Sequence, residues 1–220
     1  MEDRFFIIGD IHGHFSKLAE LIQKISRDLV DEDTLIFLGD YIDRGEYSYE
    51  VIEFLLTLKK RHRVIFLKGN HEAMFLDYLS GKTDGSMYLL NGGKNTVKSY
   101  RKHCGSLTVP PHHMEFFKNL KYYYEGEDFI AVHAGLHPLR KSIKEQREYD
   151  MMWIRDIFYH ADNEWEKTVI FGHTPASLLK KAPGVYIDDY RNIIAMDNGI
   201  IFGNPLACIR WPDRKIYYSS

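Results

Sequence analysis

Ten side chains in this sequence have the types and spacing to build one reaction site. Asp10 and His12 stand two positions apart at the end of an apolar run. The period-two alternation of a strand turns both toward one face, where a carboxylate and an imidazole can hold one divalent ion. Asp40 closes a second apolar run and brings two oxygens that can bind separate ions, while Asn70 closes a third with a neutral carbonyl oxygen. His133, in Ala131-Val132-His133-Ala134-Gly135, and His173, in Phe171-Gly172-His173-Thr174-Pro175, end two later runs. Two carboxylates, one amide and three imidazoles suit Mn, Fe, Zn or Co better than Ca or Mg. Two such ions about 3.5–4 Å apart lower the pKa of a water between them and clamp the oxygens of an in-line displacement. Phosphate ester hydrolysis is the natural use of that chemistry. It also needs donors for the outer phosphoryl oxygens, and Arg44, four residues beyond Asp40, is well placed for this. Arg155, in Trp153-Ile154-Arg155, is a second candidate. His71 follows Asn70 but points elsewhere, so it reads as a general acid oriented by Asp43, or else as a hydrogen-bonding residue behind the site.

The elements that must position these groups are legible around them. Apolar runs over 4–8, 34–38 and 64–67 read as buried strands, each followed by a glycine-flanked block and then a helical pattern. Residues 15–29 carry Leu18, Leu21, Ile22 and Ile25 at helical spacing, and residues 47–60 carry Val51, Ile52, Phe54, Leu55 and Leu58. Short strands alternating with amphipathic helices predict parallel pairing through right-handed crossovers. Five glycines break the pattern over 80–111, which reads as a helical or loop excursion above the strand edge, with a helix over 115–120 returning to the core. Seven more strands are predicted over 121–124, 129–132, 168–171, 185–187, 193–196, 207–209 and 216–218. Turn signals at Glu125-Gly126 and Pro212-Asp213 favour antiparallel hairpins among them. The prediction is one α/β domain over 1–220, with two packed sheets flanked by helices.

Composition narrows the function classes. A chain of 220 residues can bury about 70% of its unfolded surface, and 45% hydrophobic with 27% charged residues lies in the globular range. A net charge of −2 offers no field for nucleic acid, and no apolar stretch approaches the length of a membrane span. Met1-Glu2-Asp3-Arg4 leads straight into the first strand, so no signal peptide is expected. With Cys104 and Cys208 as its cysteines, the chain reads as reduced and cytoplasmic, both thiols serving in packing. Asn91-Gly92-Gly93-Lys94-Asn95-Thr96 lacks the first glycine and the hydroxyl of a phosphate loop. The adjacent His112 and His113, after Pro110-Pro111, read as loop residues.

The blocks Gly9-Asp10-Ile11-His12-Gly13, Gly39-Asp40-Tyr41-Ile42-Asp43-Arg44-Gly45 and Gly69-Asn70-His71-Glu72, separated by 25 and 23 residues, resemble the signature of the phosphoprotein phosphatase family of metallophosphoesterases. His133-Ala134-Gly135, Gly172-His173-Thr174, residues 88–93 and the Trp153-Ile154-Arg155 block are similar to its bacterial and phage branch. The resemblance implies the calcineurin-like fold, a two-sheet β-sandwich flanked by helices. It implies that Asp10, His12 and Asp40 hold one metal and that Asp40, Asn70, His133 and His173 hold the other, with Mn²⁺ preferred. Arg44 and Arg155 would bind phosphate, and His71 with Asp43 would protonate the leaving group. The implied activity is protein serine/threonine phosphatase on a phosphorylated protein. The alternative is a symmetrical bis(5'-nucleosyl)-tetraphosphatase, whose substrate is a dinucleoside polyphosphate. Glu72 leans toward the protein phosphatases, because the nucleotide hydrolases more often resemble Gly-Asn-His-Asp there. Asp197-Asn198-Gly199 departs from the family's Asp-Thr-Gly and is expected to alter the pocket near the second ion.

Overall fold

The computed structural model describes residues 3–161, 165–180 and 184–220. Strand β1 (Phe5–Ile8) is followed by α1 (Phe15–Ile25), β2 (Thr34–Phe37), α2 (Ser48–Lys59), β3 (Arg63–Phe66) and α3 (Asn70–Leu79), the alternation the periodicity predicts. The excursion over 80–111 is mostly helical. The short α4 (Ser86–Tyr88) runs into one wide turn over Leu89–Gly93 and then into α5 (Lys94–Cys104). Helix α6 (Pro111–Lys118) starts earlier than expected, because Pro111 occupies its first turn, where a missing N–H costs nothing. His112 and His113 are therefore helical rather than loop residues.

The second half adds β4 (Tyr123–Glu125), β5 (Phe129–Val132), α7 (Glu148–Trp153), α8 (Asp156–Tyr159), β6 (Thr168–Phe171), α9 (Ser177–Lys180), β7 (Tyr186–Asp188), β8 (Ile193–Ala195), β9 (Ala207–Trp211) and β10 (Lys215–Tyr218). Two five-stranded sheets result, in the orders β10-β9-β1-β2-β3 and β4-β5-β6-β8-β7. Hairpins join β4 to β5 and β9 to β10 as the turn signals predict. The expectation of an otherwise antiparallel second half is corrected: β5, β6 and β8 run parallel, and only β4 and β7 at the edges run against them. The connection holding α7 and α8 is long enough to carry the chain back over the sheet, which a hairpin cannot do.

Strand alternation distributes the core. Phe5, Ile7, Ile36 and Leu38 of the first sheet meet Phe129, Ala131, Ile170 and Ile194 of the second in a shared interior. The alternate residues Phe6, Ile8, Leu35 and Phe37 pack beneath the helices, where Leu18, Leu21 and Ile25 of α1 and Val51, Ile52 and Leu55 of α2 cover them. Ile130, Val132, Val169 and Phe171 on the outer face of the second sheet are covered with Met151 and Phe158 of α7 and α8. Burial on both faces explains why these strands read as unbroken apolar runs. Each fully buried Ile, Leu or Phe contributes about 1.5–3 kcal/mol. Among the described residues no helix is long and apolar enough to cross a membrane.

Candidate metal centre and phosphate pocket

Each sheet contributes three parallel strands, and the chemistry collects at their carboxyl ends. Asp10, Asp40 and Asn70 follow β1, β2 and β3, while His133, His173 and Asp197 follow β5, β6 and β8. Two contacts bring the two sheets' ends together. The His173 backbone N–H donates to both Asp10 oxygens at 3.0 and 3.2 Å, and His133 Nε2 lies 3.0 Å from Asn70 Oδ1. All six predicted ligands, Asp10, His12, Asp40, Asn70, His133 and His173, are buried here.

Asp40 is the centre of the arrangement. Its Oδ2 lies 3.5 Å from His12 Nε2 and 4.0 Å from His71 Nε2, and its Oδ1 lies 3.4 Å from His133 Nε2. The two carboxylate oxygens thus face two different sets of imidazoles, and His12, Asp40 and His71 on one side and Asp40, His133 and His173 on the other could each hold a metal ion. Tautomers sharpen this reading. His12 Nδ1 lies 3.1 Å from the Ile42 carbonyl and His133 Nδ1 lies 2.9 Å from the Leu38 carbonyl. A carbonyl only accepts, so each Nδ1 carries the proton and each neutral ring presents a bare Nε2 lone pair to Asp40. Lone pair facing carboxylate at these distances is repulsive unless a cation lies between them. His173 Nε2 is likewise buried without a hydrogen-bond partner. The donor set therefore fits divalent metal ions.

The electrostatics agree. Burial pushes Asp10 above the usual carboxylate range, and the charges of Asp197 and Asp40 push it further. Asp40 is held below that range, its burial outweighed by the surrounding His133, His71 and His12. Burial lowers His12 to about 3 and His173 to about 2, so both rings are neutral and free to coordinate. A buried excess of acid over base in an apolar shell calls for cations.

The backbone is bent to reach this geometry. His12, Asp40, Asp43, Arg44 and His173 are five of the seven non-glycine residues with positive φ among the described residues. Such conformations cost on the order of 1–3 kcal/mol each and collect at functional sites. Two glycines are required for space: a Cβ on Gly69 would lie 2.1 Å from Asp40 Oδ1, and one on Gly172 would lie 2.1 Å from Asp10 Oδ1.

His71 and Asp43 form a second unit. His71 Nδ1 donates to Asp43 Oδ2 at 2.7 Å. Asp43 Oδ1 accepts from the Tyr88 hydroxyl at 2.9 Å and the Thr96 hydroxyl at 2.5 Å, and its N–H bonds Ser48 Oγ and Thr96 Oγ1. Burial works against charge on His71, but Asp40 and Asp43 outweigh it and raise its pKa. Arg44 reaches within 3.5 Å of His71 Nε2, and Arg155 donates to the His173 carbonyl and the Thr174 hydroxyl. Both guanidinium groups line one cavity of about 350 Å³ with Asp40, His12, His71 and His173, walled by Met74, Trp153, Leu178 and Ile201.

Residues 3–205 match the model of the calcineurin-like phosphoesterases. The chain belongs to the calcineurin-like phosphoesterase family. Among curated proteins it is 26% identical over 231 residues to the asymmetrical bis(5'-nucleosyl)-tetraphosphatase PrpE of Bacillus velezensis, covering 95% of this chain and 89% of the relative. A crystal structure described as a candidate diadenosine tetraphosphatase superposes with a TM-score of 0.71 at 22% identity, covering 98% of this chain and 92% of that one. A protein serine/threonine phosphatase from Saccharomyces cerevisiae superposes with a TM-score of 0.66 at 16% identity, covering 99% and 80%. At these identities the solved structures establish the calcineurin-like fold.

Two sequence readings change, and one residue joins the site. Glu72 does not face the cavity: its carboxylate accepts the backbone N–H groups of Gly69, Asp40 and Tyr41 at 2.8–3.0 Å and is wholly buried. It shapes the Asp40 loop from behind. Asn198 does not touch the cavity either, since it ties Gly184 to Pro205 through both ends of its amide. Asp197, noted in the sequence only as part of that block, lines the cavity with Asp40, and burial raises its pKa to about 6. Its signal was available, because it closes the apolar run of β8 as the predicted ligands close theirs. The supporting hydroxyls of Tyr88, Thr96 and Ser48 had no local signal, since they reach Asp43 from other elements.

Proposed function

We propose that this chain is a binuclear-metal hydrolase of dinucleoside polyphosphates that cleaves them unsymmetrically. The observation that carries the reading is Asp40, which offers one oxygen to each of two imidazole sets beside a cavity holding two guanidinium groups. The substrate class is supported by relatives named as asymmetrical tetraphosphatases that match almost the whole chain. Asp10, His12 and Asp40 would hold one ion and Asp40, Asn70, His133 and His173 the other, with Mn²⁺, Fe, Zn or Co suited to these donors. Divalent ions bound there supply Lewis-acid activation of a water and neutralise charge on the phosphoryl group.

The chain's own residues do the rest. Arg44 and Arg155 grip the outer oxygens of the phosphoryl group from two sides and turn its scissile bond toward His71. Water attacks phosphorus, the P–O bond to the leaving group breaks, and the electron pair stays on the leaving oxygen. His71 Nε2 supplies a proton to that oxygen while Asp43 holds the ring by Nδ1–H and stabilises its charged form. Neutral His12 and His173 keep that proton from being lost to neighbouring rings.

Protein serine/threonine phosphatase is the second reading, and one observation favours it. An acid as well supported as His71 suits an alkoxide leaving group, which a phosphoserine releases and a nucleotide does not. Purified protein with Mn²⁺ should convert diadenosine tetraphosphate to ATP and AMP, resolved by anion-exchange chromatography. Two molecules of ADP would make the cleavage symmetrical. Turnover of a phosphoserine peptide with the nucleotide untouched would overturn the proposal in favour of the second reading.

A further inference from the structure

Away from the strand ends, three side chains on α2 and α6 converge on one point. His112 Nε2 lies 2.9 Å and His113 Nε2 lies 3.0 Å from the same Glu53 oxygen, Oε1. These atoms lie within 4.8 Å of one another, close enough for one ion. We propose that Glu53, His112 and His113 form a peripheral site for a zinc-class divalent cation, separate from the catalytic pair.

Four features support a ligand set over a chance ion pair. The donors are two imidazoles and one carboxylate, a combination that binds Zn²⁺, with an open fourth position, and disfavours Ca²⁺ and Mg²⁺. Their spacing needs little change, since Zn–N and Zn–O bonds of about 2.0–2.2 Å put tetrahedral ligand atoms about 3.3 Å apart. His113 is already aimed: its ring is wholly buried, its Nδ1 lies 2.9 Å from the buried Tyr100 hydroxyl, and the Tyr49 ring packs against it at a 45° tilt. A second-sphere hydrogen bond of this kind fixes ring orientation at metal sites. Finally, His113 alone of the three side chains is sealed from solvent. The other two ligands are about half exposed, at 53% for His112 and 43% for Glu53, which leaves an entry path and room for water in the open position. An ion there would clip α2 to α6. Helix α2 starts at Ser48, whose hydroxyl bonds the Asp43 backbone, so the clip bears on the helix that carries part of the His71–Asp43 support.

The test uses the whole protein loaded with Mn²⁺ and dialysed against micromolar free Zn²⁺, with zinc counted by mass spectrometry. The native protein should hold one more zinc per chain than either His112→Ala or Glu53→Gln, with zinc affinity at this site lower by at least about 100-fold in each variant. A crystal soaked in Zn²⁺ should show an anomalous peak among the three side chains. His112 and Glu53 are half-exposed and lie outside the catalytic cavity, so both variants should keep native circular dichroism and Mn²⁺-dependent hydrolysis. Equal zinc counts in all three proteins, or a soaked crystal with no peak there, would overturn the proposal.

Discussion

His71 and Glu72 are neighbours in sequence, yet one enters the cavity and the other is sealed behind it. One step along a helix separates their directions by about 100°, so residue type was legible in the chain while orientation was not. The same limit applies to Asp43, whose partners Tyr88 and Thr96 are 45 and 53 positions away. Two predictions belong at this scale. Replacing His71 by Asn should slow hydrolysis of a phosphoserine peptide by about 10²–10⁴-fold. Diadenosine tetraphosphate should suffer less, because its phosphate leaving group, with a pKa near 6, depends less on the proton that His71 supplies. Steady-state rates on both substrates check this, and equal losses would remove the acid role. Shortening Glu72 to Asp should pull its carboxylate away from the buried N–H groups of Gly69, Asp40, Tyr41 and Ile42 and cost about 1–3 kcal/mol, read from urea unfolding. The ratio of rates on the two substrates should not move, and a changed ratio would return Glu72 to the determinants of specificity.

Among the elements, the apolar runs located every strand to within a residue or two, most sharply in β1, β5 and β6, where two-sided burial leaves no polar break beyond the opening Thr168. Direction in the second sheet was less legible. Short strands with turn signals look alike whether they pair with the next strand or with one beyond a crossover: β4–β5, β7–β8 and β9–β10 close as hairpins, while β5, β6 and β8 pair through crossovers. The start of α6 was hidden for a related reason: proline marks a break, but Pro111 begins a helix. One ion pair ties the entry of β1 to that of β2. Arg4 grips Asp33 through two bonds of 2.8 and 2.6 Å, and the Val30 N–H adds a third at 2.8 Å. Burial raises the Asp33 pKa, but these donors outweigh it and hold the carboxyl below its ordinary value. Its stabilisation is therefore complete above about pH 4 and lost as pH falls through the lowered folded value. Asp33→Asn should cost about 1–2 kcal/mol at pH 7, an amount reduced by the part-exposed Arg4. In unfolding curves the gap between native and variant proteins should narrow below pH 4. A gap that widened there would refute the account.

At the scale of the whole molecule, the candidate metal centre is a joint product of both sheets. Cations that bind the folded protein alone stabilise it by about 2.7 kcal/mol at a hundredfold excess over Kd. Restoring Mn²⁺ to chelator-treated protein should therefore raise its melting midpoint by roughly 5–10 °C, read by calorimetry. An unchanged midpoint would mean that the buried acids Asp10 and Asp40 do not gain cations on folding. The placing of β1 has a different consequence. Ile8 pairs with Phe37 on one side but with Cys208, 200 positions further on, on the other. During synthesis at about 5–20 residues per second, that side stays vacant for on the order of 10–40 s after β1 leaves the ribosome. For that interval Phe5 to Ile8 is a bare greasy margin able to zip onto a neighbouring nascent chain, so yield in the cell is expected to rise when chaperones shield it until the last hairpin arrives.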